Sequence, residues 1–310
     1  MKRLPGTQPA DSALFFTRND PGDPRLGDRV NRGPGVYERA HVAILGCPQD
    51  EGVRRNKGRP GAVAAPTEIR RALYKMTVGD LESLGLCDAG DVAPAATLED
   101  THTALQAAVG QLLADGKRVV VLGGGNDISY PDCAALAQHA GDVLAFNVDA
   151  HYDVRESAER NSGTPYRQLL EEGLLQPRRF FELGSQPFCN AAAHAQYLND
   201  KGAHVVPLDA LRARGAARVV RRALREANKA KAVFWGLDLD VVSAAEAPGV
   251  SAPNPLGLSG AELCEIARLA GAEPRTRIVE LSEVNPAFDV DGRTSRLAAA
   301  AIYHYLAAVK

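Results

Sequence analysis

The chain has 310 residues, of which 45% are hydrophobic and 24% are charged, a composition typical of soluble globular proteins. Its 36 lysines and arginines nearly balance 38 aspartates and glutamates, so it lacks the positive excess of proteins that bind nucleic acid or anionic membranes. No apolar run approaches the ~20 residues of a membrane span, and the start lacks the apolar core of a signal peptide. We expect a cytoplasmic α/β protein without a nucleic-acid or membrane partner.

The first 38 residues are rich in proline, glycine, aspartate and arginine, and their hydrophobic residues show no sustained periodicity. This composition predicts an irregular N-terminal arm over residues 1–38 that packs on the body or on a partner subunit. No repeat or low-complexity linker interrupts the rest. We therefore expect residues 39–310 to form one domain.

From residue 41 onward, short apolar runs alternate with stretches of helical periodicity. Most of these runs are apolar at every position, as strands covered by helices on both faces must be. The alternation predicts a three-layer α/β/α sandwich around a mainly parallel sheet. The runs are HVAILG (41–46), RVVVLGG (118–124), DVLAFNVD (142–149), RFFELG (179–184), HVVPL (204–208), AVFWGLDLD (232–240) and RIVELSEV (277–284).

Three helices carry capping signals in the sequence. Thr97 precedes a stretch that ends near Gly116, and Ser259 precedes one that ends near Gly271. Thr294 is predicted to cap a last helix, SRLAAAAIYHYLAA. Ser and Thr are favoured at these positions because their side-chain oxygen accepts a hydrogen bond from an otherwise unpaired backbone N–H.

Acidic residues follow three of the predicted strands. Asp149, His151 and Asp153 alternate, so they can share one face at ~6.6 Å per two residues. Asp238 and Asp240 repeat the pattern. One acidic residue at a strand end is ordinarily a loop cap. Two alternating pairs favour a common pocket, because ligands of parallel sheets collect beyond the carboxyl ends of the strands.

Four carboxylates in one pocket require positive charge, because neighbouring like charges cannot all remain ionised. Two divalent ions would balance Asp149, Asp153, Asp238 and Asp240, with His151 as a fifth ligand. Oxygen-rich ligation with a single imidazole favours Mn²⁺ over Zn²⁺. Paired ions ~3.5–4 Å apart bind a shared water and lower its pKa. The sequence thus predicts a centre of up to two Mn²⁺ ions that prepares hydroxide.

Other candidates carry weaker signals. The glycines at 123–125 follow an apolar strand, but Ile128 breaks the GxGxxG pattern and no Walker lysine follows, so we predict a tight turn that places Asn126 at the pocket rim. The basic run 54–59 is typical of a solvated loop, with contact to an anionic substrate as the alternative. Five scattered cysteines indicate reduced thiols. Surface or packing roles are predicted for the remaining histidines, His41, His102, His139, His194, His204 and His304.

Several longer motifs together resemble the arginase (ureohydrolase) superfamily, from about residue 15 to the C-terminus. They are DAHYDVR (149–155), SGTPY (162–166), LDLD (237–240), APGVSAP (247–253) and EVNP (283–286). The segment DEGVRRNKGR (50–59) is similar to the formimidoylglutamase family in particular.

The resemblance implies an arginase-like fold around a binuclear manganese centre. Asp149 and Asp238 would bridge the ions, Asp153 would bind the first, and His151 and Asp240 would bind the second. The implied reaction is hydrolysis of N-formimidoyl-L-glutamate to L-glutamate and formamide, a step in histidine breakdown. Relatives commonly self-associate, so we also expect a homo-oligomer.

The chemistry of this reaction assigns roles to further residues. Asp153, beside the hydroxide, would pass a proton to the departing nitrogen. Glu283 would bind the cationic N–H edge of the small-molecule substrate. Arg155 and Asn161 are the candidates for its two carboxylates. The basic run supplies two further candidates, Arg54 and Arg55.

Two departures from the family pattern bear on function. Ser162 stands where arginases and agmatinases have a histidine, which disfavours a guanidino substrate. Asn126 stands where the family usually has a histidine ligand of the first metal. An amide oxygen is a weaker ligand than imidazole, so we expect a weak first site. Another ureohydrolase activity and a non-catalytic relative with an impaired metal site remain the alternatives.

Overall fold

A computed structural model of the chain describes residues 4–30 and 35–310. Within them, nine strands form one sheet in the order β1-β3-β2-β4-β9-β8-β5-β6-β7. Neighbouring strands are parallel except at the edge, where β1 is antiparallel to β3. The strands β1 to β9 are Thr7–Gln8, Val42–Gly46, Leu86–Val92, Arg118–Leu122, Val143–Val148, Phe180–Leu183, His204–Val206, Ala232–Asp238 and Thr276–Ser282.

Helices cover both faces of this sheet. In chain order, α1 to α12 are Leu26–Arg29, Val36–Arg39, Glu51–Arg55, Ala65–Leu73, Leu98–Ala114, Ser129–Ala140, Pro165–Glu171, Ala192–Lys201, Leu208–Arg214, Ala216–Glu226, Gly260–Ala272 and Arg293–Ala308. Buried residues of α4 and α9–α12 belong to one hydrophobic cluster, and those of α5–α8 to a second. In β2, Val42 and Ile44 face the first cluster, whereas Ala43 and Leu45 face the second. The predicted α/β/α sandwich is confirmed.

All seven apolar runs are strands, but the sequence did not predict β1 or β3. The residues of β3, LCDAGDV, include acids that argue against a buried strand. Arg70 of α4 explains them, because its fully buried guanidinium donates to Asp88 at 2.7 and 3.0 Å and to Asp91 at 2.6 Å. Buried charges of this kind occur when they are paired.

Two of the three predicted helix caps are present. The Thr97 hydroxyl accepts from the backbone N–H of Asp100 at the start of α5. Ser259 and Glu262 form a capping box at the start of α11, which ends one residue beyond the predicted Gly271.

The predicted cap at Thr294 is wrong. Helix α12 begins at Arg293, so Thr294 lies inside its first turn. The Asp289 carboxylate accepts from the backbone N–H groups of Thr294 and Ser295 at 2.9 Å. The Thr294 hydroxyl instead accepts from the N–H of Gly249. An acidic residue several positions earlier has taken the capping role.

The N-terminal arm packs against the body where the structure describes it. Leu4, Leu14, Leu26 and Val30 are buried, and β1 adds an antiparallel edge strand to the sheet. Residues 1–3 and 31–34 of the predicted arm lie outside the described residues. No helix in the described part of the chain has the length and hydrophobicity needed to cross a membrane.

Candidate metal centre

Four adjacent strands, β4, β9, β8 and β5, end at the same edge of the sheet. Asn126 lies beyond the end of β4, Glu283 directly follows β9, Asp238 ends β8, and Asp149 directly follows β5. Parallel strands bring their carboxyl ends to one edge. These four positions are therefore neighbours although they are far apart in the sequence.

The five residues predicted as metal ligands come together in two overlapping groups. Ligand atoms of Asp149, Asp153 and Asp238, the first group, lie within 4.8 Å of one another, as do those of Asp149, His151 and Asp240, the second group. Asp149 belongs to both groups, as a bridging ligand would. Four carboxylates with one imidazole form a donor set that suits Mn²⁺. The residues present therefore fit two such ions.

His151 presents its Nδ1 atom to the acidic residues. This atom lies 3.3 Å from an Asp149 oxygen and 3.1 Å from an Asp240 oxygen. The charge of Asp240 is the largest cause that raises the pKa of His151 far above its usual range. A proton on Nδ1 and a metal ion would each supply the positive charge that these carboxylates need. Because only the neutral ring binds metal, the proton must leave Nδ1 before the ion binds there.

Burial raises the pKa of three of the carboxyl groups. It brings the pKa of Asp240 to about 6. Burial, followed by the charge of Asp149, raises the pKa of Asp153 well above its ordinary range. For Asp238, burial and then the charge of Asp240 raise the pKa. The ionised forms are disfavoured without a nearby cation, which is the condition that divalent metal ions relieve.

A cavity of about 350 Å³ lies beside the acidic cluster. Asp153 and Glu283 line it, and both have left-handed backbones with φ of 47° and 62°. Lys57, also in the lining, has φ of 62°. Such conformations cost ~1–3 kcal/mol each in residues other than glycine and are concentrated at functional sites.

Glu283 is buried, and Asn126 donates its backbone N–H to Glu283 Oε1 at 2.8 Å. Burial is the largest cause that raises the pKa of Glu283 to about 8. The backbone N–H of Glu283 donates to the carbonyl of Gly124 at 2.9 Å. A Cβ atom on Gly124 would overlap the Gln49 carbonyl, so the glycine turn predicted here positions both Glu283 and Asn126.

Asn126 is buried beneath the cavity rather than at its rim, because the chain after the glycine turn enters the molecule. Its Nδ2 donates to Asp153 and, at 3.3 Å, to Asp149. Its Oδ1 accepts from the hydroxyls of Ser129 at 2.8 Å and Ser282 at 3.0 Å. The amide thus presents hydrogens, not its oxygen, to the carboxylates of the first group.

The predicted substrate-binding residues are only partly brought together. Arg155 is exposed and lines the cavity. Asn161 does not line it: its Oδ1 accepts from the N–H of Gly163 and its Nδ2 donates to the carbonyl of Glu159. The amide is used within its own turn, so the structure places Asn161 away from the position predicted for it.

Two arginines of the basic run also lie outside the cavity lining. Arg54 pairs with Asp50 at 3.2 Å, and Arg55 pairs with Glu99 at 2.6 Å. Lys57 and Arg59 of the same run line the cavity instead. The sequence pointed to Lys57 and Arg59 only as members of this basic run, not as individual binding residues.

Asn56 of the same run also lines the cavity and donates to the Ser162 hydroxyl at 3.0 Å. Three other lining residues were not predicted from the sequence to lie at the site. His194, predicted as a surface or packing residue, lies in the lining, as do Cys189 and Asn190. These three come from the loop after β6 and from α8, which the strand-end pattern does not mark.

The sequence model of the arginase family matches residues 40–308. The chain belongs to the arginase family. It is 34% identical to a formimidoylglutamase of Paraburkholderia xenovorans, over 96% of this chain and 99% of that protein. A Trypanosoma cruzi formiminoglutamase crystallised with Mn²⁺ aligns with a TM-score of 0.86 and 37% identity, covering 92% of this chain and 98% of that one. For a Bacillus subtilis formimidoylglutamase the TM-score is 0.87 at 28% identity, covering 96% and 97%. The resemblance inferred from the motifs is confirmed.

Proposed function

We propose that this arginase-family chain is a manganese-dependent hydrolase that converts N-formimidoyl-L-glutamate and water to L-glutamate and formamide. The observation that carries the proposal is the pair of ligand groups sharing Asp149 next to an open cavity. The names of the relatives support the substrate, and the Mn²⁺ in the Trypanosoma cruzi structure supports the metal.

In this proposal Asp149 and Asp238 would be shared by the two Mn²⁺ ions. Asp153 would hold the first ion, and His151 and Asp240 would hold the second. The membership of Asp149 in both ligand groups supports its bridging role, whereas Asp238 occurs in only one of the groups. When bound, the metal pair supplies hydroxide near neutral pH.

Two acidic residues of the cavity have separate roles in this proposal: one transfers a proton, and the other orients the substrate. Asp153 accepts a proton from the nucleophile and passes it to the departing glutamate nitrogen. Glu283 accepts hydrogen bonds from the cationic formimidoyl N–H groups, which are stronger when donor and acceptor are charged. The positions of Asp153 and Glu283 in the cavity lining support these roles.

We further propose that Arg155 and Lys57 bind the two carboxylates of the substrate. Both are exposed to the cavity. Arg59 is less free, because it donates to the Val250 carbonyl and its guanidinium lies 4.1 Å from the centre of the Phe288 ring. Asn161 would act indirectly, by holding the turn that carries Ser162 and Gly163.

The first metal site is proposed to be weak. Asn126 offers a neutral amide where the family usually has imidazole. Its oxygen accepts from the hydroxyls of Ser129 and Ser282, so an amide–metal bond requires the amide to rotate. This arrangement supports binding of the first ion with lower affinity than the second.

Several broader expectations stand as proposals as well. We propose that residues 39–310 act as one domain, that the chain self-associates, and that it works in histidine breakdown in the cytoplasm. The five cysteines are all free thiols, which supports a reducing compartment.

The deciding experiment measures glutamate and formamide formation from N-formimidoyl-L-glutamate with saturating Mn²⁺. We expect equal amounts of both products, and no turnover by Asp149→Asn, which lacks the charge shared by both ligand groups. Urea or ammonia release from guanidino compounds instead would identify another ureohydrolase. A lack of turnover of either substrate class, with Mn²⁺ bound, would favour the non-catalytic alternative that Asn126 motivates.

A further inference from the structure

The loop after β6, residues 186–190, packs against the segment that carries His151. Asn190 accepts the backbone N–H of Tyr152 at 2.9 Å and donates to the carbonyl of Ala150 at 2.8 Å. These are the two peptide groups that flank His151. A third hydrogen bond of Asn190, in which its Nδ2 donates to the carbonyl of Gln186 at 2.9 Å, fixes the amide within its own loop.

The same loop is also connected to Asp240. Cys189 of this loop lines the cavity together with His151. Its thiol donates to Asn254 Oδ1 at 2.9 Å, and Asn254 in turn donates to the backbone carbonyl of Asp240 at 3.4 Å. The two ligands that belong only to the second group, His151 and Asp240, are therefore both connected to residues 186–190.

We propose that Asn190 is the positioning residue of the second metal site, and that Cys189 assists it through its hydrogen bond to Asn254, which donates to the Asp240 carbonyl. The segment that carries His151 follows the end of β5 and has no regular secondary structure, so its peptide groups need partners outside a ladder. An amide side chain supplies a donor and an acceptor together. Alanine at position 190 would remove the acceptor of the Tyr152 N–H, and the Ala150 carbonyl would keep only the backbone N–H of Gln186, at 3.0 Å.

The effect should be selective for one ion of the pair. Asp153, which belongs only to the first group, is held by different contacts: its carbonyl accepts from the backbone N–H of Tyr166 at 3.2 Å, and Arg155, two residues further on, donates its backbone N–H to the Gly163 carbonyl at 2.8 Å. Neither contact involves the loop 186–190. Loss of Asn190 should thus disturb His151 while the first site keeps its geometry.

The inference rests on the proposed manganese function, and Mn²⁺ titration of the metal-free protein tests it by calorimetry and electron paramagnetic resonance. Removing partners that orient a metal ligand typically weakens metal affinity ~10–100-fold. We expect a loss in that range at one site for Asn190→Ala, and a smaller loss for Cys189→Ala that Cys189→Ser restores. Asn228→Ala, in an exposed turn, is the matched control and should bind Mn²⁺ like the wild type.

A double-mutant cycle with His151→Ala separates positioning from general loosening of the loop. In the His151→Ala background, Asn190→Ala should change affinity for the remaining ion less than twofold. An equal loss in both backgrounds, or wild-type binding by Asn190→Ala, would overturn the inference while leaving the proposed function intact. A wild-type chain that takes up no Mn²⁺ would overturn both. If Asn190→Ala does not fold, the Cys189→Ala and Cys189→Ser pair decides: equal affinities overturn the inference.

Discussion

Replacing Asp240 by asparagine should stabilise the metal-free chain while weakening Mn²⁺ binding. Burial is the largest cause that raises the pKa of Asp240 from 3.8 to about 6. The ionised carboxylate is therefore disfavoured in the folded, metal-free protein. Asparagine has nearly the same shape without the charge, so it relieves this penalty, which is net of the attraction between Asp240 and His151, 3.1 Å away. It also removes one ligand of the second metal site.

The raised pKa of Asp240 sets both the size and the pH range of the effect. A rise from 3.8 to about 6 corresponds, at about 1.4 kcal/mol per tenfold change in proton affinity, to ~3 kcal/mol of unfolding free energy. Because folding raises the pKa, this stability is fully present below pH 3.8 and is lost as the pH rises through about 6. The affinity for Mn²⁺ has the opposite pH dependence: it rises over this range, because metal ligands must be deprotonated.

Urea unfolding of chelator-treated protein at about pH 4 and about pH 7.5 measures the difference. We expect wild type and Asp240→Asn to differ by ~3 kcal/mol more at the higher pH, with the variant more stable. The exposed Asp80 supplies the matched control, because Asp80→Asn removes a charge in contact with water. Equal pH dependence of wild type and Asp240→Asn would refute the electrostatic account of the cluster.

Three further predictions address the first metal site, the substrate carboxylates and the buried ion pair. Asn126→His should raise the affinity for the first Mn²⁺, since imidazole is the stronger ligand; unchanged stoichiometry and affinity in a metal titration would contradict the weak-site proposal. Lys57→Ala and Arg155→Ala should each raise KM roughly tenfold with little change in kcat, because they lose a charged hydrogen bond to the substrate. Arg54→Ala, which does not line the cavity, should leave both constants unaltered, and a fall in kcat alone for the first two variants would argue against carboxylate binding. Arg70→Leu should lower the unfolding free energy by ~3–5 kcal/mol, because it removes the positive charge that neutralises the buried Asp88 carboxylate. The exposed neighbour Arg71→Leu serves as its control in urea unfolding, and equal effects would show that the buried pair contributes little.

The sequence predicts most of the sheet and the grouping of the five candidate ligands, because both depend on where strands end. Strands covered on both faces are apolar at every position, and the residues just beyond them lie at the carboxyl edge. The irregular segment after β5 brings Asp149, His151 and Asp153 into the two overlapping groups. The same reasoning could not find β3, because its acids are neutralised by Arg70, which lies elsewhere in the sequence.

The predictions that differ from the structure depend on contacts between distant segments. Asn161 has the right chemistry for a carboxylate, but its turn uses the amide. Thr294 is a good cap by type, yet helix α12 begins one residue before it, and Asp289 accepts from the first N–H groups of the helix. The contacts that Asn190 makes around His151 depend on how two loops pack, and no local pattern encodes that packing.

The left-handed backbones of Asp153 and Glu283 have a consequence for protein engineering. At both positions glycine would adopt the observed φ without steric strain, so a selection for heat resistance alone would favour it there. Each such exchange would delete a carboxylate from the reaction chamber. Mutant libraries built to improve the thermal tolerance of this chain should therefore keep these two residues unchanged and place the substitutions in the helices that cover the sheet.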